Sequence, residues 1–112
     1  MGNEPRLKLK INTGDRVYLK DTFEKYFSKY STGITYRPDE MNIFRGQQVI
    51  VTSLVTTYAH KKVYHSFTCR MTKVHGSREI RLPIVCINRS QPLIRNGKKI
   101  SLIHKELYIR LT

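Results

Sequence analysis

The sequence predicts a mostly β fold: a small, largely antiparallel barrel or orthogonal sandwich, with one short helix near residues 21–30 and an extra hairpin towards the C-terminus. Three observations predict it. Gln48–Tyr58, Val63–Lys73 and Arg78–Ile87 are consecutive runs rich in β-branched and aromatic residues, separated by short polar breaks. The middle run alternates, with Val63, His65, Phe67, Cys69 and Met71 on one side and Tyr64, Ser66, Thr68, Arg70 and Thr72 on the other. Asn96-Gly97, between Leu93–Arg95 and Lys98–Leu102, supplies the positive φ angles that a tight hairpin turn needs.

Taken in order, Arg6–Ile11 alternates Leu7, Leu9 and Ile11 with Lys8 and Lys10, which suits a short strand or a strand-like arm within residues 1–12. Asn12–Asp15 is a turn, and Arg16–Lys20 a strand with Val17 and Leu19 inward and Arg16, Tyr18 and Lys20 outward. Asp21 and Glu24 have the spacing of a capping box. Phe23, Tyr26, Phe27 and Tyr30 then form one apolar stripe of a two-turn helix, ended by Ser31-Thr32-Gly33. Tyr36–Glu40 reads as a loop, and Met41, Ile43 and Phe44 as plugs at the base of the sheet. The three runs predict an antiparallel meander, with Ile80, Leu82, Ile84 and Cys86 inward and Arg78 and Arg81 outward on its third strand. Asn88–Pro92 is a break, and Ile103–Glu106 a turn before a closing strand with Leu107, Ile109 and Leu111 inward. The expected core is Val17, Leu19, Phe67, Cys69, Met71, Ile80, Leu82, Ile84, Leu107 and Ile109.

A chain of 112 residues, 39% hydrophobic, suits a single domain over 1–112 with one core. No apolar run approaches the roughly 18 residues of a membrane span, and the first residues carry no apolar leader or myristoylation pattern. The expectation is a cytoplasmic protein with no membrane partner. Cys69 and Cys86 both fall on inward strand positions and read as reduced core thiols.

Charge is the strongest compositional feature: 21 Lys and Arg against 8 Asp and Glu. Residues 1–45 carry a net +3, whereas 46–112 hold twelve basic side chains against Glu79 and Glu106, a net +10. Such a surface attracts polyanions, with a phosphate backbone as the natural partner. Catalytic chemistry has no visible constellation. Asp15, Asp21 and Glu24 read as turn and cap residues, Asp39-Glu40 as a loop pair, and the glycines are isolated, so no phosphate-cradling loop is formed. The four His and two Cys match no zinc-site spacing. No enzyme activity, cofactor or metal is expected.

Gly14-Asp15-Arg16-Val17 opening a first strand resembles the entry of SH3-like barrels of the KOW and Tudor kind. Glu40-Met41, then Phe44-x-Gly46-Gln47-Gln48-Val49-Ile50-Val51, and the ending Glu106-Leu107-Tyr108-Ile109, are similar to small SH3-like proteins common in bacteriophage genomes. The chain departs from that pattern in its long strands after Gly46 and in the Asn96-Gly97 hairpin. The resemblance implies a binding module, phage-encoded and acting in the host cytoplasm, and it transfers no catalytic residue.

Basic residues interleaved with Tyr, Ser and Thr on strand faces suit phosphate contacts with occasional base stacking. The expected nucleic-acid-binding residues are Lys61, Lys62, Tyr64, Arg70, Lys73, Arg78, Arg81, Arg95, Lys98 and Lys99. The expected function is non-enzymatic binding, mainly to the phosphate backbone and with weak sequence preference. DNA is placed ahead of RNA because the phage proteins resembled include DNA-associated regulators. The competing expectation is an SH3-like interaction module that docks an acidic host protein and inhibits or redirects it.

Overall fold

The computed structural model describes residues 7–29, 34–59, 61–73 and 78–109. Its centre is the hairpin of β3 (Gln48–Ala59) and β4 (Lys62–Met71), turned through Lys61 at a φ of 61°. β5 (Ile80–Pro83) lies against β4, and β2 (Arg16–Tyr18) against β3, all antiparallel. β6 (Leu93–Arg95) and β7 (Lys98–Ile100) extend the sheet beyond β2, giving the order β5-β4-β3-β2-β6-β7. The predicted meander is therefore present. So is the Asn96-Gly97 turn, with φ values of 51° and 76°.

The sheet curls without closing: a single bridge, Leu19 with Ile87, joins the far edge of β2 to the chain that follows β5. No closed barrel is present among the described residues. A second pairing was not anticipated. β1 (Leu7–Lys10) runs parallel to β8 (Lys105–Tyr108), with Leu9 opposite Leu107. Partners so far apart in the chain leave no local signal of their meeting.

The core is continuous from Ile11, Val17 and Leu19 through Phe23, Phe44, Val49, Val51 and Phe67 to Leu82, Ile87, Leu93 and Leu102, all fully buried. Of the expected core, Val17, Leu19, Phe67, Cys69, Ile80, Leu82 and Ile109 are buried, while Met71, Ile84 and Leu107 are half-buried around it. Leu111 and Arg110 lie outside the described residues.

Five local expectations are corrected. α1 (Glu24–Lys29) begins three residues after Asp21, so Asp21 does not cap it; the Glu24 carboxylate accepts the Phe23 N–H at 3.2 Å instead. This entry turns Phe23 into the core beside Phe27; Tyr30 and the predicted stop at 31–33 lie outside the described residues. Pro38, Asp39 and Glu40, expected in the loop Tyr36–Glu40, form α2 (Pro38–Met41) with Met41, where Pro38 supplies a fixed φ at a position that needs no N–H donor. The 3₁₀ turn Asn42–Phe44 follows it, burying Met41 and Phe44 while Ile43 faces solvent. β5 stops at Pro83, and a 3₁₀ turn, Ile84–Cys86, carries Cys86 back into the core. β8 begins at Lys105, immediately after the turn at 103–104.

The alternation of the middle strand holds where the core is beneath it and fades beyond. Phe67 and Cys69 are fully buried, but Val63 is 42% exposed and His65 half-buried, because β3 and β4 outrun their neighbours. Ser66, expected outward, is buried and donates to the Val55 carbonyl at 3.4 Å. Both cysteines are free and buried. Burial pushes the Cys86 thiol up to about 12 and raises Cys69 further, with the two close enough for Cys86 to add to the Cys69 shift.

Candidate nucleic-acid interface

Strand register places side chains on a shared face, and here it assembles a row that crosses five strands. Lys99 of β7 stands opposite Ile94 of β6, Ile94 opposite Arg16 of β2, Arg16 opposite Ile50 of β3, and Ile50 opposite Arg70 of β4. Directly opposed residues point the same way. Lys99, Arg16 and Arg70 are therefore exposed cations on one face, with the half-buried Ile94 and Ile50 between them. Four strand spacings of about 4.8 Å make this row roughly 19 Å long.

The rows on either side are polar. Towards one end, Thr68 pairs with Arg81 of β5, and the Thr68 hydroxyl lies 2.8 Å from that of Thr52 and in contact with that of Ser53. A bulge between Val51 and Ser53 brings both hydroxyls to Thr68. On the other side, Tyr18 is opposite Gln48, whose carbonyl accepts the Thr72 hydroxyl at 3.4 Å. Among the described residues Arg16, Arg70, Arg81, Lys98 and Lys99 enter no ion pair, so their charge is available to a ligand.

The expected site residues divide into groups. Arg70, Arg81 and Lys99 lie on or beside the row, whereas Lys98, opposite Arg95, is exposed on the other face of β7. Lys62 and Tyr64 share the outer face of β4 with Arg70, but Lys62 is eight residues away, about 27 Å along an extended strand. With Lys61 they belong to the hairpin tip. Lys73 is exposed just past the end of β4. Arg78 is 84% exposed at the side chain and lies 3.7 Å from Glu40, which also neighbours Arg37 at 3.9 Å. Arg95 is removed from the surface set. Its Nε and Nη2 donate to the two oxygens of Asp15, each at 2.8 Å, and Nη2 also donates to the Lys10 carbonyl at 2.8 Å.

Arg16 was missed. Its signal was its outward position in the strand after Gly14-Asp15, but nothing local indicated that β2 would sit centrally between β3 and β6.

Described residues also line two clefts, one of which adjoins the row at Arg81. The larger, about 450 Å³, is lined by Lys20, Tyr26, Ile84, Ile87, Arg89 and Glu106 among others. Lys20 stands 4.4 Å from the Tyr26 ring centre, and its hydrogen bond to the phenol leads the lowering of the Tyr26 pKa below 10.0. The smaller, about 270 Å³, has Arg37, Arg81, Glu40 and Glu79 on its walls. The described residues hold no cluster of three or more His, Cys, Asp and Glu side chains, and no helix among them is long and apolar enough to cross a membrane.

Comparison with known proteins finds no matching family model, no matching curated protein and no matching solved structure.

Proposed function

We propose that this chain is a non-enzymatic nucleic-acid-binding module that holds the phosphate backbone with weak sequence preference. The observation that carries the proposal is the row Lys99–Ile94–Arg16–Ile50–Arg70, flanked by Arg81 and the Ser and Thr hydroxyls, whose cations have no acidic partner among the described residues. Phosphate oxygens accept from guanidinium, ammonium and hydroxyl donors, and such contacts position a protein on a strand without reading bases. The proposal includes an SH3-like reading of the sheet. Its support is the order strand, hairpin, strand, 3₁₀ turn and return to the first strand at the Leu19–Ile87 bridge. DNA is the first ligand to test.

Fluorescence anisotropy on a labelled 30-base-pair duplex, titrated at several salt concentrations, tests the reading. About four phosphate contacts give a slope of log K against log salt near −3.6, so affinity falls about a hundredfold between 50 and 200 mM salt. Absence of binding to duplex DNA, single-stranded DNA and RNA at 50 mM salt overturns it. An acidic protein then becomes the partner to seek.

A further inference from the structure

The β3–β4 hairpin runs past every other strand. β5 pairs with β4 only as far as Ser66, opposite Pro83, and β2 pairs with β3 only as far as Ile50, opposite Arg16. From Val55 and Ser66 to Ala59 and Lys62, two strands proceed alone, four residue steps of about 3.4 Å each, or about 14 Å before the turn. Among the described residues neither edge of this ribbon has a strand partner. An isolated two-stranded ribbon is marginal in water, and this one ends in exposed side chains that its own fold does not cover. Tyr58, 70% exposed, stands opposite Val63, 42% exposed, on one face. The other face carries Lys62, and Tyr64 opposite Thr57, while Lys61 occupies the turn.

We infer that this ribbon enters the major groove of duplex DNA. The inference rests on the nucleic-acid reading above and deepens it by naming the element that reaches the bases. A B-form major groove is about 12 Å wide and 8.5 Å deep and admits a two-stranded β-ribbon. The 14 Å projection spans that depth, so the tip reaches the floor while the sheet stays outside. The chemistry of the two faces matches the two surfaces met there. Lys61 and Lys62, in and beside the turn, meet guanine O6 and N7 on the groove floor. The Thr57 and Tyr64 hydroxyls, set back from the turn, donate to phosphates at the groove lip, and Val63, next to Lys62, offers an apolar contact for a thymine methyl. Arg70 lies eight residues from Lys62 on the same strand, about 27 Å along it, so Arg70 and the row across the sheet hold backbone beyond the groove that the tip occupies.

Dimethyl sulfate footprinting on the unmodified protein tests this without any variant, since the reagent methylates guanine N7 in the major groove and adenine N3 in the minor. Protection of guanine N7 is expected. A second arm compares the parent with Tyr58→Thr/Lys62→Thr, whose β-branched replacements suit strands and whose fold is checked by circular dichroism. The variant should bind DNA about tenfold more weakly and lose the N7 protection. Duplex RNA, whose deep, narrow major groove excludes side chains, should bind the parent more weakly than duplex DNA. If the parent binds DNA but leaves guanine N7 reactive, or if the folded variant binds like the parent, the ribbon is not in the major groove and the backbone reading stands. If duplex RNA binds as tightly with the same dependence on the tip, groove insertion fails as well. If the parent binds no nucleic acid, both readings fall together.

Discussion

Arg95 and Asp15 form a two-pronged ion pair across 80 residues of sequence, Nε to Oδ1 and Nη2 to Oδ2, both at 2.8 Å. The Asp15 side chain is 2% exposed and that of Arg95 26%. The pair ties β6 to the turn before β2. Through the Lys10 carbonyl it reaches β1 as well. The same carboxylate accepts the Asn12 N–H at 2.8 Å and so shapes the turn. Its hydrogen bonds hold the Arg95 guanidinium in its charged form and raise its pKa further.

Arg95→Ala should therefore act on stability and leave binding alone. Removing one partner of a fully buried pair costs roughly 3–5 kcal/mol. With a quarter of the guanidinium side chain in water, about 2–3 kcal/mol is expected, measured by urea unfolding. Arg95→Lys should recover only part of this, because an ammonium cannot match both carboxylate oxygens. A parent-like stability for Arg95→Ala, or a flatter salt slope of DNA binding, contradicts the assignment.

Phe67 stands opposite Leu54 on one side and Leu82 on the other, at the centre of the sheet, with no exposed surface. Phe67→Ala should cost about 3–5 kcal/mol in chemical denaturation. The matching change at the ribbon tip, Val63→Ala, should cost under about 1 kcal/mol, since that side chain is already 42% exposed. Equal losses at the two positions contradict the burial gradient along β4.

The buried thiols predict an alkaline limb of stability. Cys86 has an ordinary value of 9.0 and a folded value of about 12, because burial disfavours its thiolate. Below pH 9 both states keep the proton and the thiol adds no pH dependence. Between about 9 and 12 the unfolded chain loses its proton while the folded one retains it, so stability falls as pH rises. Cys69 contributes in the same direction. Denaturation midpoints at pH 8, 9.5 and 10.5 should decline, and less steeply in Cys86→Ala. Thiol reagents at pH 8 should label both cysteines only after unfolding.

Features carried by neighbouring residues were legible in the sequence. Asn96-Gly97 specifies its own turn, and the alternation from Phe67 to Met71 specifies which side meets the core. Features requiring distant partners were not. The β1–β8 pairing joins Leu9 to Leu107. The helix at Pro38–Met41 read as a loop because Pro-Asp-Glu serves a turn and a helix start equally well. The candidate site divides the same way. Arg70 and Arg81 could be assigned outward from strand period alone. Arg95 was read as part of the hairpin tip, but it shares the face of the buried Leu93, and its partner there, Asp15, lies 80 positions earlier.

Arg16 supplies the sharpest test of the interface, because its place depends on three-strand register and not on local sequence. It sits between Ile50 and Ile94, two strands from Arg70 and two from Lys99. Its side chain is exposed and enters no ion pair among the described residues. An exposed cation on a strand face contributes little to folding, so Arg16→Ala should change stability by less than about 0.5 kcal/mol. Each phosphate contact contributes about 0.9 to the slope of log K against log salt for duplex DNA. Arg16→Ala should therefore flatten the slope by about one unit, and Arg16→Ala/Arg70→Ala/Arg81→Ala by up to about three. Arg78→Ala should flatten it less than Arg16→Ala, since Glu40 lies 3.7 Å from its guanidinium. An Arg16→Ala variant with the parent's slope places the backbone off this face. A loss confined to Lys61 and Lys62 variants then assigns all binding to the ribbon.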